Sequence, residues 1–124
     1  MKPVELVPEV AVKRATETLK EALKGILQSN LVKIVLFGSR SGGPVLPDSD
    51  VDIFVVVEHK DSAVTDKVFS VAEEIEERYF LGGYSFSIHL YDLRTFQALK
   101  EAGSLLVKDI ESHGTVVYER KAQS

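Results

Sequence analysis

Three aspartates crowd the entrance of an apolar run in "GSRSGGPVLPDSDVDIFVVV", where Asp48, Asp50 and Asp52 lie within five residues. Like charges held this close raise the energy of a fold unless a cation sits among them. On an extended segment, side chains two apart point the same way, so Asp50 and Asp52 share a face about 7 Å apart. Two carboxylates at the start of a strand can hold a divalent metal. Magnesium takes a few such oxygens and completes its shell with water and substrate phosphates. Asp48 lies between Pro47 and Ser49, which is ordinary turn chemistry, and is left outside the site.

The preceding loop supplies the opposite chemistry. Gly38 ends an apolar run and lets the backbone turn with no Cβ in the way of a ligand. Ser39 then offers a hydroxyl and backbone N–H groups to an anion, while Gly42 and Gly43 keep the turn thin. Arg40 divides evenly between a phosphate contact and a surface ion pair. An anion cradle facing a carboxylate pair outlines a nucleoside triphosphate site, but not the Walker type, because the lysine–serine/threonine ending is missing.

"GSRSGGPVLPDSDVD" resembles the Gly-Ser…Gly…Ser-Asp-X-Asp signature of the DNA polymerase β-type nucleotidyltransferase superfamily, and within it the small single-domain minimal nucleotidyltransferases. Gly38, Ser39 and Arg40 match its opening, Gly43 its later glycine, and Ser49, Asp50 and Asp52 its acidic end. The resemblance implies transfer of a nucleoside monophosphate, AMP from ATP foremost, to a hydroxyl of a protein, an RNA end or a small molecule. It implies that Gly38 and Ser39 bind the triphosphate and that Asp50 and Asp52 bind two magnesium ions, with manganese as the alternative metal. It also implies a third carboxylate on the following strand as ligand and general base. Here that strand reads "YSFSIHL", and Ser87 occupies the matching position, with Ser85 and His89 on the same face. His89 is a conceivable replacement base.

Two functions follow. One is an active metal-dependent nucleotidyltransferase. The alternative is a weak or inactive nucleotide-binding module acting as the antitoxin-like partner of a helical HEPN-type protein, a pairing the resemblance implies.

These residues need a scaffold, and the periodicity supplies one. Val12, Ala15, Leu19, Ala22, Leu23, Ile26 and Leu27 step by threes and fours, predicting a helix over 8–30. "KIVLF" and "VDIFVVV" read as strands; 64–79 reads as a helix, with Gly82 and Gly83 stopping it. "YSFSIHL" alternates, with Phe86, Ile88 and Leu90 on one side and Ser85, Ser87 and His89 on the other. A helical stretch runs from about Arg94, breaks near Gly103, and resumes to His113 with Gly114 as its C-cap; "TVVYE" closes the chain as a strand. The acidic run "EEIEER" is expected to be a solvated helix face. The order α-β-β-α-β-α-α-β predicts an α/β (α+β) unit, a small mixed sheet with helices on one face, forming one domain over 1–124 with a frayed basic tail from about residue 120.

Composition sets the outer bounds. A chain of 124 residues with 44% hydrophobic content can bury a core. No apolar run reaches membrane-spanning length, "MKPVELVPEV" lacks the features of a signal peptide, and cysteine is absent, so a cytoplasmic protein is expected. A net charge of −4 argues against an extended nucleic-acid surface while leaving a local anion site open. Apolar positions around Phe96 and Leu99 suggest an exposed helix face suited to a homodimer or a partner.

Overall fold

In the computed structural model, residues 8–37, 50–80 and 85–121 are described, and all structural statements below refer to these. Helix α1 spans Pro8–Leu27 and buries Val12, Ala15, Leu19, Leu23 and Leu27 along one stripe. Gln28 takes a positive φ of 50°, which ends the α-helix before the expected residue 30, and a 3₁₀ turn covers Gln28–Asn30. Strands β1 (Leu31–Phe37) and β2 (Asp50–Val57) follow. Helix α2 spans Ser62–Tyr79, starting two residues before the expected 64 because Asp61 caps it by accepting a hydrogen bond from the Val64 amide at 2.8 Å. Strand β3 (Ser85–Asp92), helices α3 (Leu93–Glu101) and α4 (Leu105–His113), and strand β4 (Thr115–Glu119) complete the chain.

The sheet order is β3-β2-β1-β4. β1 pairs antiparallel with both β2 and β4, whereas β2 and β3 run parallel, with α2 as their crossover. The central strands are apolar on both faces, which requires two covers rather than one. Val51, Ile53, Val55 and Val57 pack with α1 and α2. Phe54 and Val56 pack on the reverse side with Phe96 of α3 and with Val107 and Ile110 of α4. The expectation of helices on a single face is therefore corrected: α3 and α4 occupy the second face because Phe37, Phe54 and Val56 must be removed from water there. The same packing corrects the exposed α3 face, since Phe96 is buried and Leu99 packs against this second cluster.

Two other expectations change. Arg120 is held rather than frayed: its amide donates to the Val32 carbonyl at 2.9 Å, and its guanidinium bonds the Ser29 carbonyl and the Glu58 carboxylate. Within the acidic run of α2, Glu73, Glu74 and Glu77 are exposed, but Glu76 turns inward and accepts from the Phe86 amide at 2.6 Å, satisfying a donor on edge strand β3. Among the described residues, no helix is long and apolar enough to cross a membrane.

Candidate functional site

Asp50, Asp52, Phe54 and Val56 alternate onto one face of β2, and their exposure changes in that order. Val56 and Phe54 are buried beneath α3 and α4, the Asp52 side chain is 28% exposed, and Asp50 is exposed. The two carboxylates therefore stand where the second helical layer stops covering the sheet. They are fixed by the same strand whose other residues form the core. Burial of that strand on both sides sets their position.

Parallel pairing with β3 supplies the neighbours. Asp50 lies across from Ser85, Asp52 from Ser87, and Phe54 from His89. The Ser85 hydroxyl donates to Asp50 Oδ1 at 2.8 Å. His89 Nε2 stands 3.6 Å from Asp52 Oδ1 and 3.4 Å from the Ser87 hydroxyl. Phe37, opposite Asp52 on β1, packs its ring edge-on to the His89 imidazole with centroids 5.3 Å apart, and also meets Phe54 at 6.3 Å. An aromatic wall therefore backs the polar group on the β1 side. Sequence reasoning missed this role of Phe37. Its signal is the alternation of β1, which puts Phe37 on the face of Asp52 once the antiparallel pairing is known.

The structure thus brings Asp50, Asp52, Ser87 and His89 onto one face, with Ser87 across from Asp52 in the strand register. Asp92, the next carboxylate along the chain, sits at the far end of β3, opposite Val57, where it caps α3 by accepting from the Thr95 amide at 2.7 Å. That hydrogen bond holds its carboxyl below the ordinary aspartate range, with smaller help from Lys60 and Arg94. Gly38, Ser39, Arg40, Gly43 and Ser49 lie outside the described residues.

Among the described residues, no three His, Asp or Glu side chains are grouped so as to hold a metal ion. A cation there would have to take most of its shell from water and phosphate oxygens, with Asp50 and Asp52 as the carboxylates available to it.

Comparison with known proteins agrees with this architecture. The family described as "Polymerase beta, Nucleotidyltransferase" matches residues 17–123. The chain belongs to that family. The match runs from within α1 to beyond β4, and so takes in the whole sheet and every helix but the first turns of α1. Solved structures share the fold. One is a mutant of the toxin–antitoxin pair MntA-HpeT, 21% identical, with a TM-score of 0.54, covering 85% of this chain and 74% of that one. Another is a toxin–antitoxin structure with AMP-PNP, 23% identical, with a TM-score of 0.54 and the same coverage of both chains. No curated protein matches by sequence.

Proposed function

We propose that this chain is a metal-dependent nucleotidyltransferase that binds ATP or another nucleoside triphosphate and transfers the nucleoside monophosphate to a hydroxyl. The observation that carries the reading is the placement of Asp50 and Asp52 on one face of β2, where the helical cover ends, in a chain of the polymerase β family. In the reaction the acceptor oxygen bonds to the α-phosphorus as the bond from that phosphorus to the β-phosphate bridging oxygen breaks, and pyrophosphate leaves. The divalent cation, magnesium in the first instance, would be held by Asp50 and Asp52 and would neutralise phosphate charge. Ser85 orients Asp50 through its hydroxyl. The segment containing Gly38, Ser39, Arg40, Gly43 and Ser49 would hold the triphosphate. With serine in place of a carboxylate opposite Asp52, the acceptor proton leaves to water, and turnover is slow.

That same serine supports a second reading, in which nucleotide binding outweighs transfer and the chain serves a partner protein. The likeness to toxin–antitoxin structures supports a partner of this sort, and a helical HEPN-type protein is the candidate. The test is melting of the protein with ATP and a divalent cation, followed by incubation with α-labelled ATP and candidate acceptors, the neighbouring gene product included. A ligand bound only by the native state stabilises it by about 2.7 kcal/mol at a hundredfold excess over its Kd. Stabilisation with label transfer supports the enzyme, and stabilisation without transfer to any acceptor supports the binding module. Melting curves unmoved by ATP with magnesium or manganese overturn both.

A further inference from the structure

We propose that the cleft between helix α2 and edge strand β3 is a docking site for an arginine-bearing amphipathic helix of a partner protein. The inference goes beyond nucleotidyl transfer and stands independently of it. The cleft lies on the α1–α2 side of the sheet, behind the face that carries Asp50 and Asp52.

Its lining comes first. Phe69, Ala72, Glu73 and Glu76 of α2, with Phe86 and Ile88 of β3, enclose about 290 Å³. Phe69, Glu73 and Glu76 step by four and then three along α2, so one ridge of the helix presents them together. Phe69 is 45% exposed and Ile88 is half-buried, so the apolar lining reaches solvent. A lone exposed apolar side chain is ordinary, whereas a contiguous apolar lining with a charged rim marks an interaction surface.

Charge decides what fits. Among the described residues, neither Glu73 nor Glu76 pairs with a lysine or arginine. Glu76 gives one carboxylate oxygen to the Phe86 amide at 2.6 Å and keeps the other for a second donor. Two carboxylates beside an exposed phenyl ring suit a flat cation. A guanidinium bonds a carboxylate through two parallel N–H groups and stacks on an aromatic face, which a lysine ammonium matches only as a point charge. An apolar residue one turn away on the same partner helix would fill the gap lined by Phe86 and Ile88.

The strand edge decides the mode. β3 ends the sheet, and an open edge invites an added strand. Here both ends of that edge are taken. Glu76 accepts from the Phe86 amide, and Leu90, whose main chain turns the same way four residues on, accepts from the Lys60 ammonium at 3.2 Å. A strand laid along β3 would displace both bonds, whereas side chains inserted from a helix displace neither.

The probe is a fluorescent helical peptide with leucine and arginine on one face at helical spacing. Its controls replace arginine by lysine or by glutamate. Anisotropy gives the Kd, and amide NMR of the labelled protein locates the contact. Shifts should be confined to the Phe69–Glu76 and Phe86–Ile88 segments. Phe69→Ala and Glu73→Gln, both at exposed positions, should each weaken binding by about tenfold. The lysine peptide should bind several-fold more weakly, and the glutamate peptide should not bind. Equal binding of the glutamate peptide, shifts mapping elsewhere, or no shifts at about millimolar peptide overturn the proposal. So does a solution dimer that Phe69→Ala dissolves, which makes a second copy the occupant. Shifts along all of β3 that include Lys60 overturn it in favour of an added strand. Melting curves unmoved by metal–ATP would leave the docking result standing, and a failed docking test leaves Asp50 and Asp52 untouched.

Discussion

Replacing Ser87 by aspartate tests the site in one step, because it puts a third carboxylate where the register says one would face Asp52. Neighbouring strands are about 4.8 Å apart, so carboxylates at 52 and 87 would stand roughly 5 Å from each other. At an effective dielectric of about 20, two such charges repel by about 3 kcal/mol. Both positions are half-buried, and solvent screening brings this to about 1 kcal/mol. In the absence of divalent cations, Ser87→Asp should therefore lower the Tm by about 3–6 °C. Magnesium should reverse the loss and raise the variant more than the parent, since the added oxygen donor turns repulsion into ligation. If a transfer reaction is present, the new carboxylate also supplies a general base, worth about 10²–10⁴ in rate. The assay is a melting series with and without magnesium, then label transfer from ATP. A variant as stable as the parent without metal, and no more responsive to magnesium, would refute the placement of these side chains around a shared ion.

Asp50→Asn keeps an oxygen able to accept from Ser85 but removes a charge; the melting temperature should hold or rise slightly, while stabilisation by metal–ATP disappears. Loss of folding in that variant would show Asp50 to be structural. Gly114→Ala should destabilise the fold by about 1–3 kcal/mol in denaturant titration, because a Cβ there would meet the Ile110 carbonyl oxygen and Val35 Cγ1 at 2.5 Å each. Asp92 has a depressed pKa, so the stability it lends is present at neutral pH and lost as the pH falls below about 4. In Asp92→Ala that part of the acid-side decline in stability should be absent, and an unchanged pH profile would exclude the capping hydrogen bond as its cause.

Local pattern carried much of this protein. The period of 3.6 in α1 and α2, the alternation of "SFSIHL" and the unbroken apolar run of β2 each reflect a residue's choice between water and core, which depends on near neighbours in sequence. Asp50 and Asp52 were legible for the same reason, as charges spaced to share a face. Gly114 was legible only in part. It does end α4, but with φ −78° and ψ 157°, so tight packing against Val35 and Ile110 demands glycine there, rather than a left-handed turn.

The sequence by itself determined the element order, the polar face of β3 and the acidic entrance of β2. Tertiary structure alone decided that α3 and α4 cross to the second face, because the helical cover of Phe54 and Val56 comes from Phe96, Val107 and Ile110, forty or more positions away. It alone set Asp52 beside Ser87 and His89, since strand register depends on pairing between segments that share no local pattern. It also set Asp92 opposite Val57, at the far end of β2 from Asp50 and Asp52, because the parallel register runs β3 alongside β2 in the same direction.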